Sequence, residues 1–199
     1  MSQEFPCRGS CCSVAPNLPL LPHPRTHIHI MAISKGDTIP SGEFAYVPYT
    51  GTDDPKVCGN PSKLSTSSWK GKKVVLFGVP GAFTKGCSER HLPAFVSGAS
   101  ELKGKGVDTI ACLATNDMFV QSAWGSVHQV GDNVLMLSDS GLTWLKEAGL
   151  TVDLSAVGFG VRSARFAMII DDLKVAYIGV EDSPSDVNVS SKEAVLAHL

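Results

Sequence analysis

One short apolar run constrains the fold of this chain more than any other segment. Residues 73–79 read Lys-Val-Val-Leu-Phe-Gly-Val, and Pro80 and Gly81 end the run. The run is too short to cross a bilayer, and its lack of polar alternation is typical of a strand buried on both faces. Such strands occur in sheets that carry helices on both sides, so the run predicts a layered α/β fold.

Strand and helix patterns alternate after this run. The predicted segments are a helix over 88–103, a strand over 107–114, a helix over 116–130, a strand over 134–138 and a short helix over 142–148. Asp171-Asp172-Leu173 predicts a hairpin between strands at 163–170 and 174–180. Together these patterns predict a mixed central sheet with helices on both faces.

Three further signals complete the element prediction. Residues 44–49 alternate weakly, and Pro48 within them indicates an edge strand, because proline cannot donate a ladder hydrogen bond. Asn116 or Asp117 is expected to cap the helix that follows it. Ser190 and Glu193 have the spacing of a capping box for a last helix.

Residues 1–30 differ in composition from the rest. They hold five prolines and no apolar periodicity, so we predict a disordered N-terminal extension followed by one domain over 31–199. The extension also carries a cluster of cysteines and histidines: Cys7, Cys11, Cys12, His23, His27 and His29. Their spacing matches no familiar zinc pattern, so an unstructured tail is favoured over a metal site.

Composition narrows the partners and the compartment. The net charge is −2, and no basic stripe points to nucleic acid or to an anionic membrane surface. The six cysteines are too sparse for a disulfide scaffold, and no secretory signal is visible. A reducing compartment is therefore expected, where a scattered cysteine is either a buried apolar side chain or a reactive thiol.

The segment between the buried strand and the next helix carries the chemistry. Cys87 falls in the first turn of that helix, where free amides and the positive end of the dipole favour an anion such as a thiolate. Thr84 lies three residues earlier, and its hydroxyl can accept from a bound peroxide or donate to the thiolate. Pro80 fixes the start of the loop and can shield the sulfur from water.

The stretch Pro-Gly-Ala-Phe-Thr-Lys-Gly-Cys-Ser at 80–88 resembles the active-site loop of peroxiredoxins. With His91-Leu92-Pro93 it is similar to the peroxiredoxin-5-like subgroup, which includes fungal peroxisomal and allergen-type members and yeast alkyl hydroperoxide reductase. Ser-Ala-Trp-Gly at 122–125 and Arg-Phe-Ala-Met at 165–168 extend the resemblance. It implies a thioredoxin-like fold and a thiol peroxidase that reduces hydroperoxides through a cysteine sulfenic acid, with no cofactor and no metal.

The resemblance also assigns roles to residues of this loop. Cys87 corresponds to the peroxidatic cysteine, and Pro80 and Thr84 match the loop's proline and threonine. Arg165 matches the arginine that approaches the thiolate, where a guanidinium would stabilise both the thiolate and the charge that develops on the peroxide. Arg162 is its nearby competitor.

A second thiol must reduce the sulfenic acid. Cys112 lies in a predicted core strand, whereas Cys58 lies in an exposed loop rich in proline and glycine. Some fungal relatives carry a cysteine about thirty positions before the peroxidatic one, and Cys58 stands 29 positions before Cys87. Animal members of the subgroup carry their resolving cysteine near Ser190, and this chain has none there. Resolution by Cys58, between subunits, and a one-cysteine cycle with an external thiol remain open.

Partners and location follow from the resemblance and the C-terminus. Thioredoxin is the expected reductant, with glutaredoxin or glutathione as substitutes, and a homodimer is implied. The final Ala197-His198-Leu199 loosely fits a peroxisomal tripeptide, although the end of a helix is the simpler interpretation. We therefore expect a cytoplasmic protein, with the peroxisome as the alternative.

Three other kinds of protein are alternatives to a peroxidase. A disulfide reductase needs a Cys-x-x-Cys pair, but threonine and arginine occupy the positions three residues before and after Cys87. A redox sensor or holdase would use the same oxidised cysteine without turnover, and the sequence does not separate it from a peroxidase. A catalytically dead relative is disfavoured because Pro80, Thr84, Cys87 and Arg165 are all present.

Overall fold

The structure is a computed structural model that describes residues 32–199. The predicted extension at 1–30, with its cysteines and histidines, lies outside the described residues. Among residues 32–199 no helix is long and apolar enough to cross a membrane.

Nine strands and five α-helices form the described part of the chain. The strands are β1 (Glu43–Tyr46), β2 (Ser62–Ser65), β3 (Lys73–Gly78), β4 (Thr109–Ala114), β5 (Leu135–Ser138), β6 (Thr151–Asp153), β7 (Val161–Ser163), β8 (Phe166–Asp171) and β9 (Lys174–Val180). The helices are α1 (Leu92–Ser97), α2 (Ala99–Gly104), α3 (Met118–Val127), α4 (Thr143–Glu147) and α5 (Lys192–Leu196). Seven strands form one sheet in the order β2-β1-β5-β4-β3-β8-β9, and β6 pairs with β7 separately.

The predicted buried strand, β3, lies at the centre of the main sheet. It pairs in parallel with β4 and antiparallel with β8. Its alternate side chains point to opposite faces, so Val75 and Phe77 join one buried cluster while Val74 and Leu76 join the other. The first cluster is covered by α1, α2, α3 and α5, and the second by α4. The structure thus confirms the mixed sheet with helices on both faces.

The predictions of an edge strand over 44–49 and of an unbroken helix over 88–103 were wrong. The segment predicted as an edge strand forms β1, which lies inside the sheet because β2, at Ser62–Ser65, pairs with its outer side. The weak polar alternation of β2 gave no strand signal, and Pro48 lies beyond the end of β1. The helix predicted over 88–103 is interrupted at Gly98, where α1 ends and α2 begins.

The cap predictions had mixed outcomes. The Asp117 carboxylate accepts from the amides of Phe119 and Val120, so Asp117 caps α3 as one of the two predicted candidates. The last helix is capped by Ser191, whose Oγ accepts from the amide of Ala194 at 3.1 Å. The prediction of Ser190 was wrong, because its buried side chain donates to Glu181 instead.

The hairpin prediction is confirmed, with a correction at its start. Asp172 and Leu173 both have positive φ, 45° and 68°, as a tight two-residue turn between β8 and β9 requires. The first hairpin strand begins at Phe166, because residues 161–163 pair with β6 as the separate strand β7.

The topology determines which loops meet. Strands β3, β4 and β5 are parallel, so the segments that follow them leave from one edge of the sheet. Antiparallel β8 begins at that edge, because Phe166 pairs with Gly78, and this brings Arg165 beside the loop after β3. In contrast β1 runs antiparallel to β5, with Tyr46 opposite Leu137, so the loop over 47–61 emerges at the other edge.

Candidate active site

The loop after β3 is held by a side chain from the neighbouring strand's end. The amide of Ala82 donates to Asn116 Oδ1 at 2.9 Å, and Ser138 Oγ donates to the Asn116 carbonyl at 2.7 Å. Asn116 was expected only as a helix cap, and this contact was not predicted. Its position directly after β4, at the same edge as the loop, was the signal available.

Cys87 lies in the first turn of the helix that begins at Lys85, as the sequence predicts. Residues Cys87–His91 form a π-helical turn, in which the amide of Leu92 donates to the Cys87 carbonyl. The Cys87 side chain is fully buried. The sulfur is therefore shielded from bulk water at the start of the helix.

Arg165 is the cation beside this sulfur. Its Nη2 donates to Cys87 Sγ at 3.3 Å, its Nε to the Pro184 carbonyl at 2.9 Å and its Nη1 to His91 Nδ1 at 3.1 Å. A Cβ on Gly86 would lie 3.2 Å from Nη2, so the glycine leaves room for this close approach. Arg165 is 3% exposed as a whole residue, and among residues 32–199 no carboxylate forms an ion pair with its guanidinium. Its charge is thus directed at the sulfur.

The hydrogen bonds of His91 define its tautomer. A guanidinium only donates, so Nδ1 of His91 must be unprotonated, and Nε2 carries the proton that it donates to the Ser190 carbonyl at 2.9 Å. Burial, followed by the charge of Arg165, lowers the pKa of His91 to about 4. His91 is therefore neutral at physiological pH.

The segment over 181–191 supplies both carbonyls that Arg165 and His91 contact. Glu181 fastens it, because its Oε1 accepts from the amides of Asn188 and Ser190 and from Ser190 Oγ. Burial acts to raise the pKa of Glu181, but these hydrogen bonds lower it below its usual range. Glu181 is therefore ionised at neutral pH and holds the segment in place.

Thr84 and Pro80 lie at a cavity that is also lined by Arg165, the residue that contacts the sulfur. The Thr84 hydroxyl donates to the Gly81 carbonyl at 2.9 Å, which leaves its lone pairs free to accept a hydrogen bond. Both residues line a cavity of about 500 Å³, together with Arg165. The other lining residues are Lys85, Gly86, Glu89, Arg90, Leu154, Val157, Phe159, Pro184 and Ser185.

The structure separates Arg162, the competitor, from the sulfur. Its Nε donates to the Phe159 carbonyl at 2.8 Å and its Nη1 contacts Thr115 Oγ1 at 3.5 Å. Its guanidinium carbon lies 5.6 Å from the centre of the Phe159 ring. Arg165, and not Arg162, is therefore the arginine that contacts Cys87.

The two remaining described cysteines occupy different environments. Cys112 is buried in β4, and burial, followed by the neighbouring Cys87, raises the pKa of its thiol well above the ordinary value. Cys58 is exposed in the loop over 47–61, at the opposite edge of the sheet from Cys87. The neighbouring Gly59 packs closely against Val47 at that edge, since a Cβ built on it would lie 2.7 Å from the Val47 side chain.

This arrangement can support nucleophilic chemistry at sulfur. A fixed guanidinium lies 3.3 Å from the sulfur, and the sulfur lies in the first turn of a helix. The same guanidinium can stabilise negative charge on an oxygen that is being displaced by the sulfur. Among residues 32–199 no group of three or more His, Cys, Asp or Glu side chains is arranged to hold a metal ion.

Comparisons with known sequences identify relatives over most of the chain. The model of the Redoxin family matches residues 34–196. A Malassezia furfur protein described as a peroxiredoxin is 45% identical over 166 residues, which cover 82% of this chain and 99% of the relative. Peroxiredoxin-2B of Arabidopsis thaliana is 42% identical over 167 residues, which cover 84% of this chain and 98% of the relative.

Solved structures match the fold as well. Reduced Prx3 of Vibrio vulnificus in complex with hydrogen peroxide has a TM-score of 0.73 and 40% identity, and the match covers 83% of this chain and 94% of that one. Peroxiredoxin 5 from Alvinella pompejana has a TM-score of 0.68 and 30% identity, with 83% and 97% covered. Both confirm the thioredoxin-like fold that the sequence resemblance implied.

Proposed function

The chain belongs to the redoxin family and is a peroxiredoxin, a thiol-dependent peroxidase, and on that premise we propose that Cys87 is its peroxidatic cysteine. The observation that carries the proposal is the 3.3 Å contact between Arg165 Nη2 and Cys87 Sγ at the start of a helix. This contact gives the sulfur a fixed positive neighbour, which a nucleophilic thiolate needs.

In the first step the Cys87 thiolate attacks one oxygen of the hydroperoxide. A sulfur–oxygen bond forms as the O–O bond breaks, which leaves a sulfenic acid on Cys87 and releases water or an alcohol once the departing oxygen is protonated. Arg165 stabilises the charge on that departing oxygen. The hydrogen peroxide in the Vibrio vulnificus Prx3 structure supports the smallest hydroperoxide as one substrate.

Thr84 and Pro80 orient and enclose the peroxide in this proposal. The Thr84 hydroxyl already donates to the Gly81 carbonyl, so it is set to accept a hydrogen bond from the protonated oxygen of the substrate. Pro80 is buried beside the cavity and has no N–H group that would need water. Together they favour a desolvated peroxide that lies in line with the sulfur.

The second step regenerates the thiol. A second thiol attacks the sulfenic acid, which releases water and forms a disulfide, and a dithiol reductant such as thioredoxin then exchanges with that disulfide. Glutaredoxin or glutathione would serve by the same exchange chemistry. We propose Cys58 as the second thiol, since it is exposed whereas the Cys112 thiol is buried and protonated.

The topology favours resolution between two subunits. A disulfide needs α-carbons within about 7 Å of each other, but Cys58 and Cys87 lie at opposite edges of one sheet. A homodimer in which Cys58 of one subunit reaches Cys87 of its partner meets this requirement without rebuilding the sheet. A one-cysteine cycle with an external thiol is the alternative.

We propose a cytoplasmic location. A peroxisomal tripeptide must be free for its receptor, whereas Leu199 packs against the core and the His198 ring stacks on Tyr177 at 4.0 Å. These contacts favour the interpretation of the C-terminus as the end of a packed helix. Fluorescent tagging at the N-terminus, which leaves the tripeptide free, would test the location directly.

Peroxide consumption in the presence of thioredoxin, thioredoxin reductase and NADPH tests the proposed activity. We expect NADPH oxidation to continue over many equivalents of hydrogen peroxide or an alkyl hydroperoxide, because each disulfide is reduced and the thiolate returns. Substituting glutaredoxin and glutathione for thioredoxin identifies the reductant. Consumption of a single equivalent with every reductant would instead indicate a redox sensor or holdase.

Cys58→Ser tests the resolving thiol. We expect this variant to reduce one equivalent of peroxide at the normal rate, because Cys87 and Arg165 are unchanged. It should lose thioredoxin-driven turnover and the disulfide-linked dimer on non-reducing gels after peroxide treatment. An unchanged gel pattern would reject Cys58 as the resolving cysteine, and mass spectrometry of the oxidised wild type would show which thiol replaces it.

A further inference from the structure

The cavity lined by Arg165 is larger than hydrogen peroxide requires. Its volume is about 500 Å³, and pockets that bind whole organic ligands in proteins measure roughly 300–1,000 Å³. One part of its wall is apolar and consists of Leu154, Val157, Phe159 and Pro184. Val157 and Phe159 are exposed, so an apolar ligand would cover surface that water now contacts. The cavity therefore has room for a hydroperoxide that carries an apolar chain.

The charged residues that line this cavity are mostly positive. Lys85, Arg90 and Arg165 carry positive charge and Glu89 carries negative charge, although the whole chain has a net charge of −2. Arg165 contacts the Cys87 sulfur, whereas Lys85 and Arg90 form no ion pair with any carboxylate among residues 32–199. An excess of positive charge in a cleft raises the local concentration of anions, so the lining favours an anionic ligand.

Arg90 is the lining cation that a hydrogen bond holds in place. Its Nη2 donates to the Ser185 carbonyl at 2.6 Å, and the segment over 181–191 that supplies this carbonyl is fastened by Glu181. Within the described part of the chain this is the one hydrogen bond that the Arg90 guanidinium makes. Its Nε and Nη1 groups therefore remain free to donate to an anion.

Arg90 and Arg165 border the same glycine. A Cβ on Gly86 would lie 3.2 Å from Nη2 of Arg165 and 3.6 Å from Nη2 of Arg90. Because Arg165 contacts the sulfur, an anion bound by Arg90 lies close to the place where the peroxide reacts. In a ligand that contacts both guanidiniums, only a few carbon atoms therefore separate the negative group from the peroxide.

We propose that the cavity selects hydroperoxides that carry a carboxylate a few carbon atoms from the peroxide together with an apolar chain, and that Arg90 binds the carboxylate. The proposal rests on the proposed function of Cys87 and names the substrate class of that site. Arginine suits the task because its planar guanidinium can donate two parallel hydrogen bonds to a carboxylate. The sulfur takes one oxygen as the O–O bond breaks, and the departing oxygen takes a proton and leaves as the hydroxy acid.

Two isomeric hydroperoxides of arachidonic acid test the proposal, each as the free acid and as the methyl ester. The near isomer carries the peroxide on the fifth carbon from the carboxylate, and the far isomer carries it on the fifteenth. The rate constant of the first step is measured below the micelle concentration, by rapid quenching and chromatography of the product. For the near isomer we expect the acid to react about two- to fivefold faster than its ester, the effect of one exposed pair of opposite charges. For the far isomer the acid and the ester should react alike.

Removing the charge of Arg90 should remove this preference. In Arg90→Gln we expect the near acid and its ester to react alike, when each rate constant is divided by that with hydrogen peroxide to correct for changes at the sulfur. Arg162→Gln is the matched control, because it loses the same charge but Arg162 does not line the cavity, so it should keep the preference. Glu89→Gln removes the negative lining charge and should strengthen the preference. Added salt should weaken it in the wild type, since ions screen an exposed charge pair.

Three results would overturn the proposal: equal rates for the near acid and its ester in the wild type, a preference that survives in Arg90→Gln, or an equal preference for the acids of both isomers. The last result would show that positive charge acts over a long range and not through contact with Arg90. None of these results affects the reaction with hydrogen peroxide. Failure of the wild type to reduce any hydroperoxide would instead reject the proposed function of Cys87.

Discussion

Replacing Cys87 with serine is expected to abolish peroxide reduction, both in turnover with thioredoxin and as a single equivalent. The serine hydroxyl stays protonated near neutral pH and is a far weaker nucleophile toward an O–O bond than a thiolate. No other sulfur of residues 32–199 accepts a hydrogen bond from Arg165. The loss is measured as residual peroxide after incubation with the variant, compared with the rate in buffer alone.

Cys58→Ser is the matched control for this variant. Both substitutions remove one sulfur, but Cys58 lies in an exposed loop at the other edge of the sheet. The control should still consume one equivalent of peroxide and form a sulfenic acid on Cys87, which a dimedone-type reagent traps. Sustained peroxide consumption by Cys87→Ser would place the reactive sulfur elsewhere and end the proposed mechanism.

Replacing Arg165 with glutamine is expected to lower the rate of the first step by about 10²–10³-fold, the usual effect of removing a group that stabilises transition-state charge. Glutamine is shorter and uncharged, so the thiolate loses its cation and the departing oxygen loses its stabilising donor. The measurement is the second-order rate constant with hydrogen peroxide at several pH values. Arg165→Lys, which restores the charge but not the two adjacent nitrogens, should give an intermediate rate.

Arg162→Gln provides the comparison within the same segment. This arginine is half-buried and close in sequence, but it contacts the Phe159 carbonyl and Thr115 and not the sulfur. Its removal should leave the first step near the wild-type rate. An equal loss in both variants would mean that general positive charge at this edge, and not the specific contact of Arg165, supports the reaction.

The central part of the fold was predictable because its signals are local. The apolar run at residues 73–79 is buried on both faces, and the two-residue turn at Asp172-Leu173 needs positive φ values. Strand β2 was missed because its identity depends on pairing with a distant segment rather than on its own composition. The misplaced cap at Ser190 has the same origin, since Glu181 competes for that hydroxyl through tertiary contact.

The part of the candidate site that consists of motif residues could be predicted from the sequence. The loop that holds Thr84 and Cys87 is continuous in sequence, and Arg165 was chosen over Arg162 by resemblance. The roles of Asn116 and His91 depend on elements brought together by the parallel and antiparallel pairings around β3. The spacing of residues along the chain does not indicate that the Ser190 carbonyl accepts from the His91 ring, which lies 99 residues earlier.

Cys87 and His91 begin and end a π-helical turn. The turn constrains the number of residues between them more than the identity of those three residues. Ser88, Glu89 and Arg90 have side chains that are half-buried or exposed, so many exchanges among them leave the turn unchanged. Cys87 and His91 both contact Arg165. Adding or removing a residue between them would change the winding of the turn, so that the two side chains would no longer both face Arg165. In this chain, a substitution within this short stretch is therefore expected to disturb the site less than an insertion or a deletion.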